Sequence, residues 1–190
     1  MSRNLCVYCS SSSAIAPEYA EAARELGAAM VASGWDLVYG GTNVGLMGAI
    51  ADAVLAAGGR ATGVIPGHIS QRGIAHQGLH ELIETPNMRE RKAGMDELAD
   101  AFLALPGGFG TLEEIFEVVT SKQLQVHQRP IVFLNTRNFY APLRTFLDHL
   151  IAERFAKPES VELYHFADTP QEALAHLETY EPTTAGTKWF

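Results

Sequence analysis

Two short stretches of this chain gather residue types that do chemistry. "LPGGFGTLEE", residues 105–114, sets three glycines in four positions behind a proline, then a threonine and two carboxylates. "NMRERKAGM", residues 87–95, puts Arg89, Arg91 and Lys92 within four positions. Glycines that open a helix let consecutive backbone N–H groups converge on an anion, and the helix dipole adds positive potential. Gly107, Gly108 and Gly110 can cradle one phosphate in this way, with Thr111 adding a hydroxyl. Glu114 then stands about one helical turn on, next to Glu113. A plainer account competes: Thr111-x-x-Glu114 fits a capping box. Thr169-x-x-Glu172 has the same spacing and is read as a cap alone.

The basic stretch bears on that choice. Its apolar stripe runs through Met88, Met95, Leu98 and Ala99 at helical spacing. Arg91 and Lys92 fall on the same stripe, at i+3 and i+4 from Met88. Cations that face protein need partners, and the first turn of a helix disfavours them. An anion, a carboxylate or a nucleotide there relieves both penalties. A structural salt bridge, or stems that snorkel from a subunit contact, would do so too. Arg89 points elsewhere and is expected in solvent.

A second glycine loop, "GGTNVGLMG", has glycines at 40, 41, 45 and 48. It is neither a G-x-G-x-x-G dinucleotide loop nor a Walker A loop. Ligand contact and close helix packing both account for its glycines.

The elements that must position these stretches alternate. Apolar runs at 5–9, 35–40, 60–65, 80–85, 101–105, 130–135 and 164–167 are expected strands. Helical patterns fill 17–34, 50–57, 88–99, 111–126, 142–154 and the stretch from 170. Residues 66–79 are expected as a loop. Continuous apolar strands between helices predict a mostly parallel sheet covered on both faces. The fold class is therefore α/β, a single-domain Rossmann-like three-layer sandwich over 1–190, with a polar tail at about 181–190. Ligands in such folds bind beyond the C-terminal ends of the strands. The loops at 10–16, 40–45, 66–79 and 106–110 are the ones to watch.

Composition narrows the partners. Apolar residues make up 47% and charged residues 19%, a balance that builds a core without disulfides or metals. The net charge of −8 argues against a nucleic-acid or anionic-membrane partner, though not against a small anion in a local basic pocket. No apolar run spans a membrane and no signal peptide is visible, so a cytoplasmic location is expected. Cys6 and Cys9 form C-x-x-C inside a strand, where odd spacing sends them to opposite faces. They are expected as core thiols. No metal site is expected: His76 and His80 are four apart, but Gly78 interrupts them in a loop.

"PGGFGTLEE" and "MRERK" match the P-G-G-x-G-T-x-x-E and M-x-x-R-K signatures of the Lonely-guy (LOG) family, and the chain resembles that family over residues 4–155. "CVYCSSS", "LVYGGTNVGLMGAIADAVLAAGG" and "GVIP" carry the likeness upstream. The resemblance implies a homodimer or a multiple of it, with active sites near the dimer interface and no cofactor. It implies hydrolysis of the N-glycosidic bond of a cytokinin nucleoside 5′-monophosphate, or of AMP or another 5′-monophosphate. Carried over by position, Arg91 and Glu114 are the catalytic pair. Lys92, Gly107, Gly108, Gly110, Thr111, Glu113, Thr120, Met88, Gly41 and Ser11 bind substrate. Two positions depart from the family pattern: Gly73 stands where many relatives are acidic, and Thr42 where a third glycine is common. Two other classes compete. A non-catalytic nucleotide-binding or carrier protein, as in the related molybdenum-cofactor carriers, would keep the glycine loops without needing Arg91 and Glu114 together. A pyridoxal-phosphate decarboxylase would need a Schiff-base lysine, and none of Lys92, Lys122, Lys157 and Lys188 has a clear context for one.

Overall fold

The structure, a computed structural model, describes residues 3–182. Of the polar tail, residues 183–190 lie outside the described residues. The chain alternates strand and helix as β1 (Arg3–Tyr8), α1 (Pro17–Ala32), β2 (Trp35–Tyr39), α2 (Gly45–Ala56) and β3 (Ala61–Pro66). A short α3 (Gly67–Ile69) precedes β4 (Glu81–Thr85), α4 (Met88–Leu98), β5 (Ala101–Ala104) and α5 (Phe109–Gln123). Then follow β6 (Ile131–Leu134), α6 (Ala141–Ala152), β7 (His165–Ala167) and α7 (Pro170–Thr179). The strands form one sheet of seven in the order β4-β3-β2-β1-β5-β6-β7. Every strand pairing is parallel, so the expected mostly parallel sheet is wholly so among the described residues.

The central strands are buried on both faces, which is why they show no polar alternation, whereas the edge strand β4 has no buried residue. Leu5, Val7, Leu37, Tyr39 and Leu103 face α1, α2 and α7, where they meet Leu26, Met30, Ile50 and Leu174. Cys6, Tyr8, Val38, Phe102 and Phe133 face the other layer and meet Met95, Ile115 and Val118 of α4 and α5. Burial of each such side chain stabilises the fold by roughly 1.5–3 kcal/mol. Cys6 and Cys9 do fall on opposite faces, both as free thiols. Burial pushes the Cys6 thiol up to about 12 and the Cys9 thiol higher still. Among the described residues, no helix is long and apolar enough to cross a membrane.

The chain runs outward from β1 through β2 and β3 to β4, then crosses back to β5 on the other side of β1. That reversal opens a crevice above the C-terminal ends of β1 and β5, where ligands bind in open parallel sheets.

Three elements differ from expectation. Helix α2 starts at Gly45, not residue 50. Gly45 has φ +58°, and a Cβ there would lie 2.5 Å from the carbonyl carbon of Ser11, so close packing overrides the poor helix propensity of its glycines. Helix α5 starts at Phe109, not residue 111, because Gly108 is its N-cap. Residues 66–79 are not all loop: α3 leads into a π-helical turn, Ser70–Ile74, interrupted by Gly73 at φ +74°.

Candidate active site

Four loops meet over the crevice and enclose a cleft of about 410 Å³. Ser10, Ser11 and Ser12 follow β1, Gly40 and Thr42 follow β2, Ile69, Arg72 and Ile74 follow β3, and Gly108 and Gly110 follow β5. These are the four loops singled out by the strand reading. Backbone bonds join all four, with Asn43 N–H donating to Ile74 O at 2.9 Å across the second and third. Ser10 N–H donates to Pro106 O at 3.3 Å, and Leu46 N–H donates to Ser10 O at 2.9 Å.

The floor of the cleft holds a buried ion pair. Arg91, 5% exposed, donates from Nη1 to Oε1 of Glu114, which is 6% exposed. Its Nε donates to the Val64 carbonyl at 3.0 Å. The guanidinium is thus held from two sides, by the end of β3 and by α5. Gly40 makes room for it: a Cβ at that position would sit 2.1 Å from Arg91 Nη2. Burial pushes the Glu114 carboxyl above its usual range, and the Arg91 charge limits the rise. Cys9 completes the floor.

Helix α5 begins at the rim. Gly108, at φ −90° and ψ −154°, caps it with no side-chain bond. The first turn therefore presents N–H groups that have no acceptor within the helix, together with the positive end of the dipole. Thr111 lies inside the helix, 4% exposed, and lines the cleft. Gly107 lets it do so, since a Cβ there would be 2.1 Å from Thr111 Oγ1. The capping-box account of Thr111 and Glu114 is overturned: the helix boundary lies three residues before Thr111. Thr169 and Glu172 do form a cap, with Glu172 N–H donating to Thr169 Oγ1 at 3.2 Å and Asp168 N–H to Glu172 Oε2 at 2.8 Å.

The other named residues divide. Ser11, Met88, Gly108, Gly110, Thr111, Arg91 and Glu114 all line the cleft. Lys92, Glu113, Thr120, Gly41 and Gly107 do not. Lys92 donates to both Glu113 and Glu117, beside a smaller cleft that Glu114 also borders. Those two carboxylates raise the Lys92 amine above its usual range and keep it charged. Thr120 is exposed farther along α5. Gly41, at φ +75°, turns the chain against Ile65 and Gly63, and its carbonyl accepts from His76 N–H. His76 and His80 go separate ways: His76 Nε2 lies 3.1 Å from Asp52 Oδ1, while His80 Nδ1 accepts from Ala61 N–H.

Some lining residues went unnamed in the sequence reading. Arg72 borders the cleft, and its one available signal was its place beside Gly73 in a loop already marked as ligand-facing. Met47, Ile65, Ile69 and Ile74 form an apolar wall. Thr42 stands in the wall too, with Oγ1 3.1 Å from Met47 Sδ.

The chain is similar to known proteins in sequence and in fold. A family model described as "possible lysine decarboxylase" matches residues 47–177. The cytokinin riboside 5′-monophosphate phosphoribohydrolase LOG7 of Arabidopsis thaliana is 43% identical over 180 residues, 95% of this chain and 83% of its own. The protein LOG of Oryza sativa subsp. japonica, which bears the same activity name, is 42% identical over 95% of this chain and 74% of its own. Among solved structures, the molybdenum cofactor carrier protein of Chlamydomonas reinhardtii superposes with a TM-score of 0.70 at 22% identity, covering 94% of this chain and 97% of its own. The molybdenum cofactor binding protein of Rippkaea orientalis gives 0.72 at 20%, covering 94% and 97%. The structural likenesses establish the shared fold. The identity to the LOG proteins, held over nearly the full length, establishes more: the chain belongs to the family of cytokinin riboside 5′-monophosphate phosphoribohydrolases.

Proposed function

We propose that this chain hydrolyses the N-glycosidic bond of a nucleoside 5′-monophosphate, a cytokinin nucleotide or AMP, to free base and ribose 5-phosphate. The observation that carries this reading is the buried Arg91–Glu114 pair, one helical turn from the glycine-capped start of α5 and in the same cleft. The phosphate docks on the first-turn N–H groups of α5 with the Thr111 hydroxyl, and it anchors the sugar. Loss of the base leaves positive charge on the ribose ring. Glu114, as carboxylate, stabilises that charge and accepts a proton from the attacking water, whose oxygen bonds to the anomeric carbon. The base departs with the C–N electron pair and takes up a proton. Arg91 keeps the carboxylate ionised and aimed. The apolar wall of Met47, Ile65, Ile69 and Ile74 receives the base.

A carrier would need the glycine loops but has no use for a buried Arg–Glu pair. No lysine lines the larger cleft among the described residues, so the decarboxylase description has no Schiff-base amine to use there. Incubation with AMP and with isopentenyladenosine monophosphate, assayed for free base, tests the proposal. Release that persists at near-normal rate in a folded Glu114→Gln protein would overturn it.

The working form is a homodimer or a multiple of one. Phe109, Phe155 and Val126 support this, being 95%, 82% and 75% exposed. A monomer mass by light scattering would contradict it. Two free cysteines fit a reducing, cytoplasmic setting.

A further inference from the structure

A second cleft, of about 310 Å³, opens at the other edge of the sheet, where β6 and β7 begin and α5 and α7 end. Its centre is Lys122, from the last turn of α5, which is 3% exposed. Among the described residues, its ammonium has no hydrogen bond and no ion pair, and lies 4.7 Å from the centre of the Tyr180 ring. A buried cation without an anion is costly. A ring face offsets part of that cost. Burial accordingly pushes the Lys122 amine down to about 8.

Beside it, the rings of His165 and His176 stack at 4.1 Å with planes 8° apart. Burial, with His165 and Lys122 nearby, pushes His176 down to about 4, so this ring is neutral at pH 7 and can donate one N–H. Ile131, Val161 and Tyr164 supply apolar wall, while the exposed Glu162 and Glu181 stand at the rim. Among the described residues, the cleft thus offers one cation without an anionic partner, a neutral donor, an apolar wall and a weakly acidic entrance.

We propose that this cleft binds a small monocarboxylate with an apolar body, its carboxylate on Lys122 and His176 and its body against Ile131, Val161 and Tyr164. The carboxylate supplies the charge that Lys122 lacks. The rim carboxylates disfavour a dianion such as phosphate. The cleft lies at the opposite edge of the sheet from Arg91 and Glu114, so occupancy is separable from hydrolysis.

Titration of the protein with benzoate, acetate and inorganic phosphate, followed by amide NMR shifts, tests this. Benzoate is expected to shift resonances around Lys122 and His176, and to bind about tenfold or more tightly than phosphate, one decade being 1.4 kcal/mol. Lys122→Met is expected to lose benzoate binding about tenfold or more while AMP hydrolysis and Tm hold, and His176→Ala to weaken it less. The titratable groups around Lys122 are Glu162, Tyr164, His165, His176, Tyr180 and Glu181 in the cleft, and His127, which feels its charge. At pH 8.5 benzoate binding should draw a proton onto the amine, seen as buffer-dependent heat in calorimetry. Silence to millimolar benzoate, equal binding by Lys122→Met, tighter binding of phosphate, or no proton uptake would each overturn the proposal.

Discussion

The chain writes Thr-x-x-Glu twice, and the two copies end up differently. At Thr169 the pattern caps α7, with the threonine at the boundary and Glu172 turned back to the preceding backbone. At Thr111 the threonine is already in the helix, and Glu114 is buried against Arg91 from another element. The difference lies upstream. Pro170 follows Thr169 at once and fixes the start of α7 there. Gly107 and Gly108 precede Thr111 and let the helix begin three residues sooner, which turns the threonine and the glutamate from caps into site groups. A local pattern is thus reassigned by the residues that place the helix boundary.

Substitutions can break this contrast. Glu114→Gln should give the largest effect, a loss of kcat by a factor of about 10² or more with the fold kept. Steady-state kinetics beside circular dichroism would check it. A mere loss of Tm would return Glu114 to a structural role. Gly40→Ala comes next. Its methyl would push the Arg91 guanidinium off Glu114, and a displacement of about 1 Å costs up to about 10²-fold in rate. The pH profile of kcat/KM sharpens the contrast further. On the proposed mechanism Glu114 works as the carboxylate, and since burial raises its pKa the acid limb should fall above the usual glutamate range. In Arg91→Ala the limb should move higher still, because loss of a cation favours the neutral acid. The smallest effect belongs to the true cap. Thr169→Ala should cost about 1 kcal/mol, or roughly 2–4 °C in Tm, and leave kcat unchanged. If Thr169→Ala lowered kcat as Glu114→Gln does, the two copies would not differ as described.

The layers of the fold were legible because the buried strands are continuous apolar runs and the helices carry 3.6-residue stripes. The ligand-facing loops were legible because a parallel sheet puts its site at one edge. The strand order was not, since no local pattern records that β5 pairs with β1 rather than with β4. The helix starts at Gly45 and Phe109 were misplaced because their causes are tertiary or conformational: close approach to Ser11, and a glycine cap without a side chain. The meeting of Arg91 and Glu114 could be suspected from charges on an apolar stripe. The guanidinium's second anchor, the Val64 carbonyl, has no signature in sequence at all. Lys92 shows the converse: it shares the stripe with Arg91 yet pairs outward with Glu113 and Glu117, because one residue along a helix turns a side chain by about 100°.

The backbone bonds from Ser10 to Pro106 and from Leu46 to Ser10 tie the serine loop to the starts of two helices. Gly45 presses on Ser11 from below. On the proposed function, a rim sewn in this way would have little freedom left to lose when a nucleotide binds, so more of the phosphate's binding energy would remain to hold the sugar over Glu114. Affinity and rate would then both be sensitive to residues such as Gly45, which need never touch the nucleotide.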